Sequence, residues 1–143
     1  MRLVVDASVV IPCFVPERWS VPARTWLDAA TVLLAPEFLT LECANALWKK
    51  QRRGEITASD AGEALEQVLG GFIELRSSAM VARTAFRLGS DLNHPVYDCA
   101  YLALAEVEGA ELLTADRELV RLSLADGRNL VAHWVGDPVP RVH

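Results

Sequence analysis

Cysteine is scarce in this 143-residue chain: Cys13, Cys43 and Cys99 are the three present. An odd number cannot close fully into disulfides, and no two stand at the C-x-x-C spacing of a metal-binding knuckle. Free, mostly buried thiols in a reducing cytoplasm are the expectation. Long apolar runs are missing as well. No stretch approaches the roughly 20 residues needed to cross a bilayer, so no membrane segment is expected. The amino terminus does not read as a secretion signal, because Asp6 interrupts its apolar segment. Phosphate-cradling loops are absent, since neither G-x-x-x-x-G-K-[ST] nor G-x-G-x-x-G occurs. Basic excess is lacking too: 14 Lys and Arg face 19 Asp and Glu, a net charge of −5. That sign speaks against a protein that coats nucleic acid by charge alone. It suits a site that must itself be acidic because it holds divalent cations.

What is present is a globular composition, 52% hydrophobic and 23% charged, without repeats, low-complexity tracts or long linkers. The length suits a single domain over 1–143 with an irregular tail from about residue 136. Apolar strand-like runs ("RLVVD" at 2–6, "TVLLAP" at 31–36, "FIEL" at 72–75, "ELLT" at 111–114, "LVAHWV" at 130–135) alternate with helical segments. The helices are expected over "VPARTWLDAA" (21–30), from Glu37 to Arg53, and from a Thr57–Asp60 capping box to Gly70. Others are expected from Ser77 or Ser78 to about Leu88, from an Asn93 or His94 cap through Pro95 to Gly109, and from Arg117 to Leu124. This alternation predicts an α/β fold, a mainly parallel central sheet of about five strands flanked by helices in three layers.

Ligands of such sheets bind beyond the carboxyl ends of the strands. Asp6 closes the first strand there, and Asp116 lies two residues past the fourth. Asp98 falls in the first turn of one helix and Glu42 near the start of another, both helices beginning at that edge. Singly, each acid also fits a helix cap or a favourable dipole position. Together, four carboxylates at one edge would repel unless a cation joined them. All-oxygen ligation favours Mg²⁺ or Mn²⁺, ions able to activate water and take up charge on a phosphoryl group.

The pieces "VVDASVV", "PEFLTLECANALWKKQRRGEI" and "HPVYDCAYLALAEVEGAELLTADREL" resemble the PIN-domain ribonucleases, and most of all the VapC-type toxins of bacterial toxin–antitoxin pairs. The match in order and spacing runs from Arg2 to about Val135. The resemblance implies a PIN-like domain and a Mg²⁺- or Mn²⁺-dependent endoribonuclease, acting in the cytoplasm as the toxin of a VapBC-type pair. Position by position, Asp6, Glu42 and Asp98 match the three most constant metal-site acids, and Asp116 matches a fourth, more variable one. Ser8 and Thr114 match small hydroxyl residues that orient the acids. The implied reaction is hydrolysis of an RNA phosphodiester by cation-activated water, leaving 5′-phosphate and 3′-hydroxyl ends. A homodimer and a VapB-type antitoxin are the implied partners.

Further residues follow from helical spacing. Lys49 stands seven residues after Glu42 and on the same face, with Asn45 between them. Asn45 is expected to hydrogen-bond Glu42 or nearby backbone, and Lys49 to contact substrate phosphate. Lys50, Arg52 and Arg53 read as the solvated end of that helix, Glu118 as a solvent-facing residue, and His94 as a cap or surface residue rather than a general base. Trp19, Trp26 and Trp48 read as packing residues, and the cysteines beside Glu42 and Asp98 as core fillers. A phosphotransfer receiver domain would need paired acids near the amino terminus and a lysine after the last strand. Neither occurs, because no lysine follows Lys50. A PIN-like scaffold that binds RNA or protein without cutting is the alternative, and the presence of all four acids opposes it.

Overall fold

A computed structural model describes residues 1–128 and 130–141. Among these residues, five short runs become strands: β1 (Arg2–Val5), β2 (Val32–Pro36), β3 (Glu74–Arg76), β4 (Glu111–Thr114) and β5 (Ala132–Trp134). They join in the order β3-β2-β1-β4-β5, with every pair parallel. Parallel neighbours need crossover connections, and helices supply them: α1 (Ala7–Phe14), α2 (Ser20–Ala29), α3 (Leu39–Arg52), α4 (Ala58–Val68), α5 (Ser78–Leu92), α6 (Val96–Glu108) and α7 (Arg117–Ser123). Leu3, Val4 and Val5 are consecutive and fully buried. Successive strand residues face opposite sides, so both faces of the sheet are covered. Helices α1 to α4 contact one another as one group. Helix α6 packs against α5 and lies on β1, β2 and β4.

Several boundaries differ from the sequence expectation. Helix α1 has no counterpart there. It is apolar almost throughout and carries Pro12 inside, so it shows neither an amphipathic period nor a clean helical composition. Strand β3 begins two residues late. Its pairing to β2 spans Glu74 to Arg76, while Phe72 turns away to meet the Phe14 ring edge-on at 5.5 Å. Helix α5 continues past Leu88 to Leu92. Gly89 does not stop it: a Cβ there would stand 3.0 Å from the His94 carbonyl oxygen and 3.1 Å from Val96, so the glycine permits the close turn into α6. Asn93, at φ 50°, ends α5 in the left-handed region instead of capping α6, and Pro95 occupies the cap position with Val96 as first helical residue. The capping box at Thr57 and Asp60 forms as expected. The described part of the tail, 136–141, has no helix or strand, and residues 142–143 of the expected tail lie outside the described residues.

Candidate active site

Asp6 follows the last residue of β1 and is 7% exposed. It stands at the cap position of α1, yet its side chain caps nothing. The hydroxyls of Ser8 and Thr114 donate to one carboxylate oxygen each, Thr114 at 2.6 Å. Each hydroxyl in turn accepts a backbone N–H from the loop after β4, Ser8 from Ala115 and Thr114 from Asp116, both at 3.0 Å. Both hydroxyl protons are therefore committed to Asp6, and the carboxylate is tied to the strand beside it. Burial pushes the Asp6 carboxyl up to about 6 despite those two donors, and the charges of Glu42 and Asp116 push the same way.

Glu42, in the opening turns of α3, is half-buried and accepts the Tyr101 hydroxyl at 2.8 Å. Burial raises its carboxyl, and the Asp98 charge adds to that while Tyr101 opposes it. Asp98 lies in the first turn of α6, three residues before Tyr101, and bonds His94 Nε2 at 2.9 Å. An ionised carboxylate can only accept, so the ring N–H donates. His94 thus anchors Asp98 and caps no helix. Asp116 is exposed and caps α7, accepting from Glu118 N–H at 2.9 Å. The electrostatic couplings run in series, Asp116 to Asp6 to Glu42 to Asp98.

Among the described residues, no three His, Cys, Asp or Glu side chains close into a ready metal cage. An open arrangement suits Mg²⁺, which keeps several waters and takes only one or two carboxylates directly. The donor chemistry fits such an ion. The site offers carboxylate and hydroxyl oxygens, and a desolvated carboxylate beside like charges is relieved by a cation. The two cysteines beside these acids are buried, and burial pushes the Cys43 thiol up to about 12 and raises that of Cys99; soft sulfur also suits Mg²⁺ poorly. A cavity of about 470 Å³ lies elsewhere, among Phe14, Arg24, Leu27, Asp28, Leu33 and Phe72, and contains none of the four acids.

Comparison with known proteins decides the family. The PIN domain family profile matches residues 3–124. The chain is 40% identical over 121 residues to Ribonuclease VapC3 of Pyrobaculum aerophilum, covering 83% of this chain and 92% of that protein. The chain belongs to the VapC ribonucleases of the PIN-domain family. A second relative in the same organism, Exonuclease VapC9, is 33% identical over 97 residues, 66% of this chain and 70% of that protein. The crystal structure of VapBC2 from Rickettsia felis bound to a promoter DNA fragment shares the fold. Its TM-score is 0.63 at 12% identity, covering 93% of this chain and 98% of that one.

Within this PIN fold, not every expected contact forms. Asn45 is exposed and makes no side-chain hydrogen bond among the described residues; Tyr101 holds Glu42 instead. The signal for Tyr101 was its place three residues after Asp98, which sets both on one helical face. Lys49 is exposed on α3. Lys50 pairs with Glu17 at 2.6 Å and Glu55 at 3.4 Å, as a helix-end cation. Glu118 is exposed and held by Arg121, which draws its carboxyl below the ordinary range. Trp26 is buried and donates to the Val135 and Asp137 carbonyls, whereas Trp48 is 51% exposed.

Proposed function

We propose that this chain is the toxin of a VapBC-type pair, an endoribonuclease that depends on Mg²⁺ or Mn²⁺ and acts in the cytoplasm. The observation that carries the proposal is the buried Asp6 carboxylate, tied down by two hydroxyls and electrostatically coupled to acids from separate segments. Asp6, Glu42, Asp98 and Asp116 would hold the cation. Bound there, it would supply an activated water for in-line attack on phosphorus and take up charge on the phosphoryl oxygens.

The chain's own residues supply position. Ser8 and Thr114 keep Asp6 in one rotamer, Tyr101 orients Glu42, and His94 anchors Asp98. Lys49 contacts substrate phosphate, and Asn45 borders it on α3. The products are 5′-phosphate and 3′-hydroxyl ends. A VapB-type antitoxin restrains the enzyme, and the active unit is a homodimer.

The test is inducible expression of wild type beside Asp98→Asn in a bacterium, followed by sequencing of RNA ends. Growth arrest and new internal 5′ ends with wild type alone are expected. Progressive trimming from termini would reassign it as an exonuclease. Equal toxicity of the two proteins would reject the catalytic account and favour a non-cleaving scaffold.

A further inference from the structure

Several of the 14 Lys and Arg side chains of this acidic protein are already committed. Arg2 and Arg76 pair with Glu108, Lys50 with Glu17 and Glu55, Arg87 with Glu106, Arg121 with Glu118, and Arg128 with Asp91. Arg117 differs. It is exposed, and among the described residues no carboxylate stands within ion-pairing distance of it. Its guanidinium lies instead over the Trp134 ring, 3.6 Å from the centroid. Trp134 is half-buried and held in place. Trp19 meets it edge-on at 5.1 Å, and a Cβ on Gly136 would stand 2.2 Å from the ring, so only glycine admits this packing. Arg18 stacks on Trp19 at 4.5 Å and is likewise exposed without a carboxylate partner among the described residues. Arg18, Trp19, Trp134 and Arg117 thus form a continuous row of contacts, with a cation over the ring at each end and an edge-on ring pair between them.

The sheet register puts this stack beside the acids. Thr114 pairs with Trp134, and Val5 pairs with Leu113, so Asp6, one residue past β1 and bonded to the Thr114 hydroxyl, extends the row that Thr114 and Trp134 form on β4 and β5. Strands lie about 4.8 Å apart, which sets the Trp134 backbone about 10 Å from that of Asp6. Arg117 also follows Asp116 directly in sequence. Stacking fixes the plane of a guanidinium while leaving its N–H edge open, the geometry that suits bidentate binding of a phosphate. The neighbouring acid that could neutralise it, Glu118, is occupied by Arg121.

We propose that Arg117, stacked on Trp134, is the station that binds an RNA backbone phosphate next to the scissile one, with Arg18 extending the track. The assignment rests on the ribonuclease reading above. It explains how an acidic protein engages a polyanion close to its own carboxylates: a local, preorganised cation offsets their repulsion where the strand must pass.

The test is fluorescence anisotropy with a short, labelled single-stranded RNA of mixed sequence, over a salt series in EDTA so that binding is read without cleavage. Arg117→Gln should bind about tenfold more weakly. The slope of log affinity against log salt should fall by about 0.7, the loss of one single-strand phosphate contact. Arg117→Lys should recover the slope and only part of the affinity, because an ammonium neither stacks nor forks. Arg87→Gln, altering a paired arginine, should match wild type. Circular dichroism melts and Mn²⁺ uptake of Arg117→Gln should equal wild type, since the residue is exposed and outside the acid cluster. If wild type binds and Arg117→Gln keeps both affinity and slope, the station is wrong while the nuclease reading stands. The same holds if Arg117→Gln weakens antitoxin binding alone. If wild type itself binds no RNA, both readings fall.

Discussion

The two ends of α6 treat their carboxylates in opposite ways. At its start, Asp98 belongs with Glu42 and Asp6, where burial and like charge drive the Asp6 and Glu42 carboxyls upward. At its last residue, Glu108 receives Arg76 Nε at 2.8 Å and an Arg2 amino nitrogen at 3.0 Å, and these draw its carboxyl downward. Ten residues, about 15 Å of helix, separate a satisfied acid from a frustrated group. An acid that only stabilises a fold is given cations by the chain itself. The acids at the other end are given hydroxyls, the His94 ring and one another, which leaves room for a cation from outside.

The largest expected effect breaks that contrast at its frustrated end. Asp6→Asn should lower RNA cleavage at least about a thousandfold, the scale of losing several kcal/mol of charge stabilisation in the transition state. Glu108→Gln should leave the turnover number near wild type and lower stability by about 1 kcal/mol. Steady-state cleavage and urea unfolding of both variants check the pair.

Next comes pH. The Asp6 carboxyl sits near 3.8 in the unfolded chain and about 6 in the fold. Folding favours its protonated form, so its contribution is fully present below about pH 3.8 and is lost as pH rises through about 6. The swing is about 3 kcal/mol at about 1.4 kcal/mol per pH unit. Glu108, shifted downward, contributes above its unfolded value near 4.5 and loses that contribution as pH falls. In metal-free urea titrations at pH 4 and pH 7, wild type should therefore lose ground to Asp6→Asn at the higher pH. A wild type that gains on Asp6→Asn with rising pH would contradict the burial of that charge.

Two smaller effects sharpen the picture. Tyr101→Phe removes the hydroxyl on Glu42 and should slow cleavage about tenfold, with folding little changed. Lys49→Ala should weaken RNA binding roughly threefold, as a single solvent-exposed charge contact would, while metal affinity stays at wild type. Cleavage unchanged at low substrate concentration would remove Lys49 from the substrate path.

The strands and the four acids were legible from local pattern. Apolar runs ending at Asp6 and Thr114 mark where buried parallel strands reach their edge, and the chain's alternation alone sets that edge as common. Helix α1 was not legible, because burial on nearly all sides erases periodicity and Pro12 disguises the rest. Spacing within one helix points to Asn45 as a partner of Glu42 or of nearby backbone, but Tyr101 reaches Glu42 from α6. The Arg117–Trp134 stack depends on the register of β5 beside β4 and on Gly136 leaving space for the ring. No local spacing in the chain encodes it.

Whether the separated carboxylates hold divalent cation together is tested most directly by isothermal titration of Mn²⁺ into the full chain at pH 7. Saturable uptake by wild type that disappears in Asp98→Asn is the predicted result. No heat with wild type, or equal uptake by both proteins, would contradict it.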